Sequence, residues 1–376
     1  MTSVDLAALP DVSFAPLDPE KVERDVIASF ENSMGITLYP AVPERLLCES
    51  LAYRETVVNG LIDLAARQLF LAYASGGHLD HHGALLGVCR LPAGPSQTTV
   101  RFFLNEPLPF LVEIPAGTRV ATAGGDLLFS TDADATIAVG VLETEVVATC
   151  MSTGAATNGF VPGQVSKLVD RLPHVSGVVN VTMSLGGSDT ETDDHFRERI
   201  QMAPEAFSNA GSAGAYRFWA MSAHADIADV AVNSPTPGVV DIRPVLLGGE
   251  MPNAVHLSLV AETLNAETVR PLTDQVLVAP PDMVEYAVEG VYFLSRSRAS
   301  LASSCKANIA KALETYRIWQ RSKPGRDINP TKLISLVEQA GAKRLELAAP
   351  TFRALDVVEV ARETLMSLQF GGYEDD

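Results

Sequence analysis

Between Ser75 and Ser96 the apolar rhythm of this chain changes, and that change fixes what it can fold into. Before it, Leu47, Leu51, Val58, Leu61, Ile62, Ala65, Leu69 and Tyr73 recur at steps of three and four, the period of one helix face. Pro43 can open that helix, which the spacing extends to about 75, a rod of about 50 Å at 1.5 Å per residue. Pro19 can open a shorter helix to about 34, preceded by an arm with Pro10 and Pro16 that reads as extended. A rod of that length suits a helical bundle between subunits better than a compact catalytic lobe.

After the change the runs are short, β-rich and broken by Gly, Pro or Asp. Strands are expected at 98–104, 111–114, 119–122, 127–130, 136–141 and 143–149, with 161–169 continuing the set. These make a small antiparallel β domain. From 176 strands and helices alternate: strand 177–184, helices 190–205 and 211–224, strands 227–234 and 238–246, helix 252–265, strand 275–279. Helices on one antiparallel sheet are the expected layer. A third unit follows, with a strand at 284–294, helices at 298–321 and 330–340, and strands at 343–347 and 357–361. The fold class is therefore α+β multidomain: long N-terminal helices (1–92), a small antiparallel β domain (93–175), then two α/β-sandwich-like, or α+β, domains (176–282 and 283–376). The acidic tail 371–376 is expected to be mobile or to order on a neighbour.

The stretch 186–200 stands out locally. Gly186 and Gly187 permit a turn with φ > 0, Ser188 or Asp189 can cap a helix, and Glu191, Asp193 and Asp194 crowd its first turn, where the macrodipole favours acids. Arg197 and Arg199 follow on the same helix. Upstream come 79–93, with Asp80-His81-His82-Gly83 and Leu86-Gly87; then Ile114-Pro115-Ala116-Gly117-Thr118; then Gly154-Ala155-Ala156-Thr157-Asn158-Gly159. In that order these segments resemble the baseplate J-like family, wedge proteins of contractile-tailed phages and related contractile injection particles. The resemblance covers roughly 45–290; the last 85 or so residues match in general character only.

The resemblance implies a structural subunit assembled in a bacterial cytoplasm and located in the baseplate of a virion or particle. It implies a ring around the tail tube that helps couple baseplate rearrangement to sheath contraction. The implied partners are a second copy, another wedge protein through the N-terminal helical bundle, neighbouring wedges, and the tube and sheath-initiating proteins. Gly186, Gly187, Asp189, Glu191 and Arg197 become structural motif residues, and Leu47, Leu51, Val58, Leu61 and Leu69 the assembly-helix interface.

Chemistry is sparse. The residues His78, His81 and His82 lack HExxH spacing, and the acids at 189–194 fail the EF-hand order, since position twelve is Ile200. Cys48, Cys89, Cys150 and Cys305 are scattered, so no CxxC motif exists. There is no Gly-x-Ser-x-Gly elbow, P-loop or dinucleotide fingerprint. No catalytic residue, cofactor or metal is expected, and the chain reads as no enzyme. With 28 basic and 46 acidic residues, net −18, neither nucleic acid nor an anionic membrane is an expected partner. The basic residues Arg317, Arg321, Lys323 and Arg326, and Lys343 with Arg344, read as an acidic-partner contact or a solvated helix end. Two other classes stay open: a tail-associated esterase or glycan hydrolase on the β domain, and a cell-surface adhesion module with a helical stalk.

Overall fold

The computed structural model describes residues 4–207, 211–266, 269–271 and 273–375. The chain divides into two compact units, Met1–Arg90 with Phe196–Gln201, and Leu91–His195 with Met202–Asp376.

In the first unit, helix α1 (Pro19–Met34) is capped by Asp18, whose carboxylate accepts the N–H groups of Glu20 and Lys21, and stops at Gly35 in the left-handed region. It packs on α2 (Pro43–Arg67) around Ile27, Leu38 and Cys48. Helix α2 is shorter than its apolar period suggests: it ends at Arg67 rather than near 75. The arm supplies the reason. Phe14 donates its N–H to the buried carboxylate of Asp63 at 2.7 Å and stacks on Phe70 at 5.6 Å. Arg67 is held by Asp63 and Asp11 and lies over the ring of Tyr73. The next residues turn by short i→i+3 bonds, Leu69 N–H to Ala66 and Phe70 N–H to Arg67. The arm is thus laid back on the helix end, and α3 (Gly76–Leu85) follows. Leu69 lies in this turn, off the assembly helix to which the sequence assigns it.

The second unit begins with β1 (Pro95–Phe103), β2 (Val112–Ile114), β3 (Arg119–Thr122), β4 (Leu128–Thr131), β5 (Ala135–Ile137), β6 (Glu143–Thr153), β7 (Val165–Leu168) and β8 (Gly177–Asn180). Six of them form an antiparallel sheet, β7-β3-β4-β6-β1-β8, while β2 pairs with β5. The strand expected to open the next domain is therefore β8, which pairs with β1 and belongs to this sheet. The end strands meet through one residue. Asn180 accepts the Val165 N–H on its side-chain oxygen and the Gly163 N–H on its backbone oxygen. Its amide donates to the carbonyls of Phe160, Val161 and Thr182. The sheet so curls into a near-barrel over Val100, Phe102, Ile114, Val120, Phe129 and Ile137. Each fully buried Phe contributes about 2 kcal/mol by its removal from water.

Next come α4 (Asp193–Met202), α5 (Ala213–Met221), β9 (Ile227–Asn233), β10 (Val239–Leu246), α6 (Ala254–Asn265) and β11 (Gln275–Val278). Strand β10 is antiparallel to β9 but parallel to β11. The sheet is mixed, not purely antiparallel as the alternation suggested, because α6 carries the chain back across it. The last segment holds β12 (Asp282–Ser295), α7 (Ala302–Arg321), α8 (Pro330–Gln339), β13 (Arg344–Ala349) and β14 (Glu359–Glu374). Here too one pair, β12 with β14, is parallel. The expected closing strand 357–361 is this 16-residue strand, and most of the tail belongs to it: Gly372, Tyr373 and Glu374 pair with Phe293, Leu294 and Ser295. Arg344 clamps Glu374, and Lys343 donates to the Asp375 carbonyl. Only Asp376 of that tail lies outside the described residues.

Candidate functional site

The 186–195 segment is a junction. Gly186 sits at φ +89°, where a Cβ would also press on Val255 at 2.9 Å. Gly187 has no such φ; it is glycine for space, since a Cβ would lie 2.4 Å from Thr157 Oγ1 and 2.8 Å from the Gly154 carbonyl. Asn158 clasps Gly187 from both sides, accepting its N–H at 2.8 Å and donating to its carbonyl at 2.6 Å. Ser188 and Gly94 exchange backbone bonds of 2.9 and 3.1 Å, and Ser188 Oγ accepts from Gly94 as well.

Asp189 does not cap α4. Its Oδ1 accepts the Ala155 N–H at 2.9 Å, and the cap belongs to Thr192, whose hydroxyl accepts from His195 N–H at 3.4 Å. The displacement follows from the helix starting at Asp193, three residues later than expected. Glu191 is buried and accepts the Leu91 N–H at 2.9 Å. Its other oxygen lies 2.6 Å from His195 Nδ1, and His195 Nε2 lies 2.7 Å from the Ile227 carbonyl. Both ring nitrogens therefore face oxygens, and Nε2 donates to the Ile227 carbonyl, which can only accept. Four of the five motif residues, Gly186, Gly187, Asp189 and Glu191, thus tie the 91–94 segment and the 154–158 loop together and reach β9 through His195.

Arg197 serves the other unit. Its Nε donates to the Leu71 carbonyl at 2.9 Å and Nη2 to that of Ala74 at 2.8 Å, holding the turn after α2. Beside it Phe196 is fully buried, fills the space over Gly83, and carries the Arg90 guanidinium 4.9 Å from its ring.

The predicted interface residues are spread along α2 with their side chains outward: Leu47, Leu51, Val58 and Leu61 are 60%, 54%, 51% and 61% exposed. A second set, Leu46, Tyr53, Val57 and Leu64, is equally open and lies about 100° further round the helix. The face toward α1 holds the small residues Cys48 and Ala52. The basic patches, by contrast, are matched internally: Arg317 and Arg321 reach Glu363, Arg321 also reaches Glu250, and Arg344 reaches Glu346 and Glu374. The sequence reading assigned no role to Asn158 and His195, which stand inside its motif segments, and passed over Asn180 and the histidines at 224 and 256. For the last pair only the short His224-to-Asp226 spacing gave a hint.

Fold and site together define a multidomain α+β chain whose distinctive residues join segments and whose most open apolar surface is a helix. Comparison with known proteins gives that class a family. Residues 43–96 match the Baseplate J-like N-terminal domain, 99–187 the Baseplate J-like protein barrel domain, 208–280 the Baseplate J-like central domain, and 297–369 the Baseplate J-like protein C-terminal domain. The chain belongs to the baseplate J-like family. The last match extends the likeness over the segment that the motifs reached only in general character. Baseplate protein J of Escherichia phage P2 is 37% identical over 163 residues, 43% of this chain and 52% of that protein. The match thus spans about half the length of that relative. A chain in the six-fold symmetrised baseplate of the anti-feeding prophage is similar over 91% of this chain and 90% of its own, at 15% identity and a TM-score of 0.44.

Proposed function

We propose that this protein is a structural wedge subunit of a contractile-tail or injection-particle baseplate. It joins a ring around the tail tube and helps pass baseplate rearrangement to the sheath. The observation that carries this is α2 with its two open apolar stripes. A helix that buries only small residues against α1 and offers leucines on two further faces is built for two more helices. A second copy and a different wedge protein are the proposed occupants. The partners, the place in the baseplate and the absence of catalytic activity are parts of this reading. The chain is proposed to work as four modules: 1–92, the β module from 93, and α+β modules to 282 and 376, with β8 counted in the β module. Among the described residues no helix is long and apolar enough to cross a membrane.

The test is Leu47→Asp with Leu61→Asp, co-expressed with the other baseplate proteins of the particle. Losing two buried leucines forfeits about 3–6 kcal/mol, more than about a hundredfold in Kd. The variant should purify folded and no longer co-purify with its partners. Unchanged assembly would remove α2 from the interface, and an unfolded isolated chain would make the stripe an internal core.

A further inference from the structure

Behind the Gly186 turn lies a cluster outside the motif. His224 and Asp226 stand in the loop before β9, and His256 in the first turn of α6. The two imidazoles are 4.7 Å apart at 82°. Asp226 Oδ2 lies 3.9 Å from His224 Nδ1 and 4.0 Å from His256 Nε2, and one donor atom from each residue fits within 4.8 Å. His256 is 4% exposed, and its Nε2 has no hydrogen-bond partner among the described residues. A buried polar atom left so costs about 1–3 kcal/mol unless something meets it. We propose that His224, Asp226 and His256 form a binding site for a divalent transition ion of the zinc class.

Three features support the assignment. First, the donor set is two imidazoles and one carboxylate, which suits zinc-like ions and not magnesium or calcium, whose sites are all oxygen. Second, a tetrahedral ion with bonds of about 2.0–2.1 Å sets its donors about 3.4 Å apart, so Asp226 Oδ2 must close on each nitrogen by about half an ångström, within a set that spans no more than 4.8 Å. Third, His224 already has the support a metal-ligating histidine needs: its Nε2 donates to the Gly186 carbonyl at 3.2 Å, which turns Nδ1 and its lone pair toward Asp226. That lone pair accepts the Asp226 N–H at 3.2 Å, a long bond that the ion displaces. His256 Nδ1 accepts the Asn253 N–H in the α6 capping box at only 3.5 Å; taking the ion on Nε2 gives up that long contact and moves the ring proton to Nδ1. Asp226 is the most open of the three at 29% exposure, which gives the ion an entry and leaves its fourth position to water. The ion fastens the loop leading into β9 to the start of α6. It acts as a clasp beside the Gly186 turn, whose carbonyl His224 already meets.

The full chain, stripped with chelator and dialysed, is titrated with zinc sulfate by calorimetry, with cobalt(II) as the spectroscopic probe. Expected are one zinc per chain, a melting temperature that rises with zinc and not with magnesium, and the visible bands of a four- or five-coordinate cobalt site. Asp226→Asn and His256→Gln should each weaken zinc binding at least tenfold, while His78→Gln with His81→Gln, on the exposed face of α3, leaves it unchanged. Should His256→Gln fail to fold, Asp226→Asn, on the more open residue, decides alone. No saturable zinc binding by the parent overturns the site, as does binding that survives Asp226→Asn or vanishes with the α3 histidines.

Discussion

The two glycines of the 186–187 turn are required for different reasons, and the difference is measurable. Gly186 needs its left-handed φ, whereas Gly187 needs empty space on its Cβ side. Gly187→Val would drive its methyls into Thr157 Oγ1 and the Gly154 carbonyl, both on a loop fixed by Asn158. Overpacking against fixed backbone costs about 1–3 kcal/mol, with more where the loop cannot shift. Asp189→Asn keeps an oxygen for the Ala155 N–H and should cost well under about 1 kcal/mol. Chemical denaturation of both variants checks the order. Equal losses, or a larger one for Asp189→Asn, would mean that the carboxylate does something beyond accepting that one bond. The capping expectation for Asp189 failed on a local point: a cap three or four residues early looks the same in sequence, and only the 154–158 loop, thirty-odd residues upstream, decides which N–H it serves.

At the scale of elements, helices and strands were legible wherever burial follows the local period. Strand β1 alternates nearly without fault, and α1 has Asp18, Pro19 and Gly35 at its ends. What was not legible came from partners far along the chain. The 43–75 stripe continued past Arg67 because apolar residues also suit a turn; only Phe14 and Asp11, more than 45 residues away, show why the helix stops. Parallel pairing of β10 with β11 and of β12 with β14 was hidden for the same reason, since alternation reports a face and not a direction. The tail looked mobile by composition, yet Arg344 and β12 order it. Of the site, the glycines and acids could be picked out, and Asn158 stood in a motif segment with no role assigned, while His256 carried no spacing signal. The helix end supplies a prediction. Asp63→Ala removes the acceptor of the Phe14 N–H and one partner of Arg67, while the Asp11 pair with Arg67, the Phe14 stack and the Gln201 bond to the Val4 carbonyl remain. Loss of that acceptor should cost about 1–3 kcal/mol locally, seen as faster amide exchange over 11–15 with the β sheet unaffected. Protection that stays unchanged would show that the remaining contacts hold the arm without Asp63.

At the scale of the whole molecule, the proposed wedge role calls for parts that keep their own fold while their surroundings shift. The C-terminal segment has the makings of such a part. Its core, Val284, Val288, Leu294, Ile309, Tyr316, Leu333 and Val337, is drawn entirely from its own strands and helices. Its parallel strands β12 and β14 are joined through α7, α8 and β13, all within the segment. What ties it to the preceding residues is thinner: Glu250 with Arg321 and Arg362, Arg243 with Asp282, and Gly249 packed on Arg321. Glu250 is 58% exposed, so those ion pairs count for little in water. Arg321 keeps Glu363 when they are gone. A fragment spanning 281–376 should therefore fold alone, with a cooperative melt and the helix content of α7 and α8, though at a lower temperature than in the full chain. Circular dichroism and a calorimetric melt check it. A fragment that binds a hydrophobic dye and melts without cooperativity would show that the preceding sheet completes this core, and the chain would then move as fewer, larger bodies.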